Sequence, residues 1–207
     1  MGISIHYRGR IDKMETIAKL ADDLEDFAQS LGWRTQHWKE DFSTPSTARI
    51  SHERGEIRVV GHTPLQGISL FLHKECEPLW LTFEPNGYLV DVAAMAMVAE
   101  GEMKLEKLWR STKTQFAPIE VHIGIVKLLQ YVKRRYIANL DVHDEGGYWE
   151  SGNVIELKRR FNSINHGLNI LQTALSANQS ELSGEKSLED LAQMMEGIFK
   201  DELRGKS

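Results

Sequence analysis

Ile3, Ile5 and Tyr7 alternate with Ser4, His6 and Arg8. A period of two puts one set on each face, so the segment is predicted to be a short half-buried strand. Asp12 followed three residues later by Glu15 resembles a capping box. From Met14 the apolar residues fall at Ile17, Leu20, Ala21, Leu24, Phe27, Ala28 and Leu31, a helical period that Gly32 stops. The outer face of this helix carries Asp22, Asp23, Glu25 and Asp26 and reads as solvated. Trp33 to Glu40 is expected to be a second strand after a β-α crossover, and 42–48 a Ser/Thr/Pro loop.

The period then returns to two. Ile57 and Val59 lead to Gly61; Ile68, Leu70 and Leu72 follow, then Leu79, Leu81 and Phe83, then Tyr88, Val90 and Val92. Asn86-Gly87 between the last two runs is a hairpin signal, because a type I′ turn needs positive φ at both positions. The pattern predicts an antiparallel meander over roughly 56–93, with helices covering one side. Leu105, Leu108 and Trp109 favour a short helix within 94–110. Pro118 opens a helix over 117–136 that buries Val121, Ile125, Leu128, Leu129, Val132 and Tyr136. Leu140 and Val142 suit a short strand, and Gly146-Gly147 a turn. Val154, Leu157, Phe161, Ile164, Leu168, Leu171 and Leu175 keep an a/d heptad spacing over three heptads. Ser187 caps a last helix with Leu188, Leu191, Met195, Ile198 and Phe199 on its apolar face.

The expected fold class is α+β: a mainly antiparallel sheet of about four to six strands packed against two helices, with a C-terminal helical hairpin. Residues 1–150 form the α+β part and 151–207 the hairpin packed on it, as a single structural unit.

Composition narrows the functional classes. The 207 residues hold 25 Lys+Arg, 30 Asp+Glu, 8 His and one Cys, for a net charge of -5. One cysteine excludes a disulfide framework and a Cys-rich zinc fold. The N-terminus has no apolar core resembling a leader, and the most apolar run, Val92 to Ala99, is far short of the ~20 residues a membrane helix needs. A cytoplasmic protein without a membrane partner is the expectation. Basic residues gather in 103–160, 11 against 7 acidic ones, including the triplets 133–135 and 158–160. Such clusters contact phosphates in nucleic-acid binders. The acidic total and the missing recognition motif argue against that reading. A helix end and a solvated helix face account for the triplets instead.

The segment from Asp141 to Glu150 concentrates chemistry. On a strand, Asp141, His143 and Glu145 share one face and form a candidate set of ligands for a divalent metal such as zinc, manganese or iron. No other cofactor is implied. Asp144 and Glu150 are the candidate catalytic bases in that scheme, and Tyr148 and Trp149 form a candidate ligand-binding wall. His6 and Arg8 are candidate ligand-binding residues on the outward face of the first strand, with Arg10 just beyond. Were that strand to neighbour 139–143, these cations would face Asp141 and Glu145, making an anion pocket or a salt-bridge network. The bland alternative for 141–150 is an Asp-Gly turn between a strand and a helix. Cys76 lacks a visible base, and His122 sits beside the buried stripe of its helix. Phosphate-loop, dinucleotide-loop, nucleophile-elbow and H-E-x-x-H motifs are absent.

Residues 161–180 carry no Asp, Glu, Lys or Arg. A helix without charges suits cover on more than one side, so a homodimer or another protein partner through 154–199 is expected. The first reading is therefore a binding or interaction module that self-associates through its C-terminal helices. The alternatives are a metal-assisted hydrolase at 141–150, and a phosphate or nucleic-acid binder at the basic triplets. Whether the chain is an enzyme stays open at this point.

Overall fold

A computed structural model describes residues 2–53 and 55–177. In chain order its elements are β1 (Ser4–Arg8), α1 (Thr16–Ser30), β2 (Arg34–Lys39), β3 (Arg49–Glu53), β4 (Glu56–Val60), β5 (Gln66–Phe71), β6 (Leu79–Phe83) and α2 (Val92–Ala99). A 3-10 turn at Leu105–Lys107 leads to β7 (Arg110–Lys113), α3 (Ile119–Arg135), β8 (Asp141–Asp144), α4 (Tyr148–Ser151) and α5 (Val154–Ala177). The fold is mixed α and β with antiparallel sheets. The chain divides into two compact units, Met1–Lys158 and Arg159–Ser207. The heptad segment is helical through α5, whereas the last predicted helix and its hairpin lie outside the described residues. Among the described residues, no helix is long and apolar enough to cross a membrane.

The strands do not form the one sheet of four to six that alternation suggested. They make two three-stranded sheets, ordered β7-β1-β8 and β2-β5-β6, and a separate β3-β4 hairpin. All pairings are antiparallel. The predicted meander breaks after β4. At Gly61 (φ 93°) the chain passes so close to Thr47 that a Cβ would stand 2.2 Å from its carbonyl oxygen. β4 turns back onto β3 at a short turn holding Gly55 (φ 80°), with Glu53 opposite Glu56, and the close approach at Gly61 lies at the open end of that hairpin. The meander's last run also ends early. Leu89 makes only an isolated bridge to Phe83, and Asp91 then caps α2 by accepting the Ala94 N–H at 2.8 Å. Val92, expected to end the last strand, instead opens the helix Val92–Ala99, because a cap precedes good helix formers.

Side chains join the two three-stranded sheets. The Tyr7 hydroxyl of β1 donates to the Trp80 carbonyl (3.0 Å) and accepts the Trp80 N–H (2.9 Å) of β6. Thr112 of β7 donates to the Pro78 carbonyl, and the Glu77 N–H reaches the Lys113 carbonyl at 3.1 Å. A buried tyrosine thus does for β1 and β6 what ladder bonds do elsewhere.

The main core draws Ile5 and Tyr7 from β1, Leu20, Leu24 and Ala28 from α1, Leu70 and Leu81 from the second sheet, and Ile125, Leu129 and Val132 from α3. Each such aliphatic contributes about 1.5–3 kcal/mol on burial. A second cluster, including Leu65, Val90, Met95 and Leu108, packs α2 against the β3-β4 hairpin. α1 begins at Thr16, not at Asp12, and Glu15 makes no side-chain cap. Backbone bonds from Thr16 to Lys13 and from Ile17 to Met14 build a turn there instead. α3 starts after Pro118 and ends on Lys133, Arg134 and Arg135, where cations complement the helix dipole.

A candidate anion-binding face

β1 is flanked on both sides, so its outward residues meet those of β7 and β8. His6 is paired with His143 and Arg8 with Asp141. Arg8 donates to Asp141 Oδ2 from Nε (3.1 Å) and Nη2 (2.9 Å). Its guanidinium carbon lies 4.3 Å from the centre of the Trp109 ring. His6 Nε2 is 3.3 Å from Glu145 Oε1, and the Ser4 N–H donates to Glu145 Oε2 at 2.8 Å. The His6 and His143 rings stack at 5.9 Å. Arg8 and His6 therefore do face Asp141 and Glu145. These pairs are half exposed, so each is worth at most about 1 kcal/mol.

Asp141, His143 and Glu145 lie on this one face, as alternation requires. Arg8 occupies Asp141, however, and His6 and Ser4 occupy Glu145. Among the described residues, no three His, Cys, Asp or Glu side chains converge as ligands of one cation.

Asp144 points the other way, into the protein, and is buried. Its Oδ1 accepts the Gly146 N–H (2.7 Å) and lies 3.1 Å from His122 Nε2. Its Oδ2 accepts the N–H groups of Tyr148 (2.8 Å) and Trp149 (2.9 Å). His122 Nδ1 is 2.8 Å from Thr114 Oγ1, and neither residue has any accessible surface. Burial pushes the Asp144 carboxyl up. The bond and charge of His122 and the N–H groups of Trp149 and Gly146 outweigh it and hold the carboxyl below its ordinary range. The order Thr–His–Asp resembles a nucleophilic triad, but with no opening to solvent it ties the residue after β7 to α3, β8 and α4. Tyr148 and Trp149 pack against the main core, and Glu150 is exposed on α4. They do not join His6 and Arg8. The Cys76 thiol is pushed up to about 12 by burial and by Glu77, the reverse of an activated nucleophile.

At the end of β1 a cleft of about 220 Å³ opens, lined by Arg8, Arg10, Tyr88, Asn139 and Asp141, with Leu89, Leu105, Glu106 and Leu108. Its shape is set from below. Buried Glu84 accepts the N–H groups of Asn86 (2.9 Å) and Tyr88 (3.1 Å) and so fixes the turn at Gly87. The turn pairs with the chain leaving β1: Ile11 N–H donates to the Gly87 carbonyl and Leu89 N–H to the Gly9 carbonyl. Gly9 is needed there, because a Cβ would stand 2.9 Å from Ile137 Cγ2. Arg10 then lies over the Tyr88 ring at 5.4 Å and donates its Nε to the Asn86 carbonyl at 2.8 Å. Its backbone N–H donates to Asn139 Oδ1. Among the described residues Arg10 has no carboxylate within ion-pair distance, in contrast to Arg8. Sequence reading placed Arg10 beside this face but missed Tyr88, Asn139 and Glu106, which only tertiary contacts bring in.

In comparisons with known proteins the chain matches no family, no curated protein and no solved structure.

Proposed function

We propose that the protein is a binding module for a small anion, held in the cleft at the end of β1. The observation that carries this reading is Arg10: a guanidinium fixed over an aromatic ring, facing a cleft, with no carboxylate partner among the described residues. Its Nε and its backbone N–H are committed to the protein. Its two terminal nitrogens are the donors that suit planar carboxylate or phosphate oxygens. Arg8 forms the second wall, already neutralised by Asp141 and steadied by Trp109.

The test is calorimetric titration at low salt with inorganic phosphate and simple carboxylates, on wild type and Arg10→Gln. At least one anion is expected to bind saturably. Loss of a charge-assisted bond of about 1.5–3 kcal/mol would weaken that binding roughly 10- to 100-fold in the variant. Absence of any Arg10-dependent binding would overturn the reading. It makes no use of the basic triplets, and it does not require the self-association expected of residues 154–199.

A further inference from the structure

The cleft has two chemistries, and together they describe a ligand. Its rim is polar, with Arg10, Asn139, Asp141 and Glu106. The rest of its lining, the floor, is apolar: Leu105 and the Tyr88 ring are partly exposed in it, and Leu89 and Leu108 complete it with almost no surface of their own. A site for a bare inorganic ion has no use for such a floor, because the ion would shed water onto surface that offers no hydrogen bond. Ligand sites combine mostly apolar lining with a few placed polar groups, and here that combination is present on a small scale.

Charge limits the ligand further. One cation in the cleft is uncompensated, whereas two carboxylates, Asp141 and Glu106, stand on the same rim. A single negative charge satisfies Arg10; a second would have to sit near Asp141 and Glu106. Size sets the last limit. Drug-sized ligands occupy roughly 300–1,000 Å³, and about 220 Å³ is available here. We infer that the ligand is a small organic monocarboxylate, its carboxylate on Arg10 and a short aliphatic chain or a single ring against Leu105 and Tyr88. This inference rests on the anion reading above and names its ligand class.

A second cleft, lined by Asp12, Lys13, Thr16, Lys19, Arg135 and Tyr136, serves as the internal control. It is cationic but lacks a leucine floor, so it should not distinguish acids by their apolar part.

The experiment is a calorimetric series at low salt with acetate, butyrate, hexanoate, benzoate and inorganic phosphate. The proteins are wild type, Arg10→Gln, Leu105→Asn and Arg135→Gln, with the unfolding midpoint of each variant measured first. Affinity should rise about fourfold per added methylene until the cleft is filled, and benzoate should exceed acetate at least tenfold. Arg10→Gln should lose binding throughout. Leu105→Asn should flatten the series while keeping weak acetate binding, and Arg135→Gln should match wild type. Equal affinity for acetate and benzoate, or phosphate binding more tightly than every carboxylate, would overturn the ligand class and leave the anion site standing. No Arg10-dependent binding by any probe would overturn both. Binding that survives in Arg10→Gln and disappears in Arg135→Gln would move the anion to the second cleft and overturn both as well.

Discussion

A methyl group is too large at Gly146. A Cβ on Gly146 would stand 2.6 Å from Leu157 Cδ1 and 2.8 Å from His122 Nε2, both inside the packed interior. Gly146→Ala must therefore move α5's first turn or tilt the His122 ring that Asp144 and Thr114 hold. Overpacking of this kind costs about 1–3 kcal/mol. Denaturant unfolding should show the loss, and a variant as stable as wild type would mean that the interior gives way freely. Asp144 makes a second prediction at the same place. Its folded carboxyl lies below the ordinary range, against about 3.9 in an unfolded chain. The stabilisation it contributes is thus fully present above that unfolded value and is lost as pH falls toward the folded one. Asp144→Asn keeps the shape but turns an NH2 or a neutral oxygen toward N–H groups that need an acceptor. It should cost about 1–3 kcal/mol at neutral pH and lose less than wild type between pH 5 and pH 3, an interval flanking the ~3.9 reference. Asp23 and Asp41 are also held low, by Tyr136 and Ser43 respectively, so the variant's acid slope should be shallower, not absent. Parallel acid slopes would detach Asp144 from the acid response.

Among the elements, the direct bonds between β1 and β6 rest on the Tyr7 hydroxyl, which makes that joint testable by one oxygen atom. Tyr7→Phe leaves the Trp80 N–H and carbonyl without their partner, at a cost of about 1–3 kcal/mol. Burial pushes the Tyr7 hydroxyl up to about 12, against the bonds from Thr112 and Trp80. Its neutral form therefore favours the folded state fully below the unfolded value of about 10, and that advantage is lost as pH rises through the folded value. Wild type should lose stability in that alkaline interval faster than Tyr7→Phe; equal slopes would show that the hydroxyl ionises as freely folded as unfolded. This joint also marks what sequence can show. Strands with apolar alternation, β1, β5 and β6, were legible, as were helices α1 and α3 with their 3–4 spacing. β7 was not: Arg-Ser-Thr-Lys has no apolar residue, and it is a strand because β1 lies beside it. β3 was hidden likewise: Arg-Ile-Ser-His-Glu has a single apolar residue, and it is a strand because β4 folds back beside it. In the candidate site, the facing of Arg8 and Asp141 followed from alternation once β1 and β8 were neighbours. Arg10 over Tyr88 did not, because those residues are 78 apart in sequence and meet only through the turn that Glu84 holds.

At the scale of the whole molecule, the net charge of -5 repels an approaching anion, so the cleft must attract it locally. At about 0.1 M salt the Debye length is roughly 10 Å, and only charges on the rim matter. Arg8 is offset by Asp141, leaving Arg10 in favour of an anion and Glu106 against it. Removing one opposing charge at roughly 8 Å in a water-like dielectric is worth about 0.5 kcal/mol, or a little over twofold in affinity. Glu106→Gln should thus bind the preferred acid two- to threefold more tightly than wild type at low salt. Glu106 is exposed within the 3-10 turn and Gln keeps its length, so the fold should not change. The gain should shrink as salt rises toward 1 M, where screening falls to about 3 Å, while the preference for an apolar body should persist because burial of carbon is not screened. An unchanged or weaker affinity in Glu106→Gln would mean that the rim potential does not govern entry. Arg10 would then act through its hydrogen bonds alone. A gain that persists at high salt would point instead to a direct contact between residue 106 and the ligand.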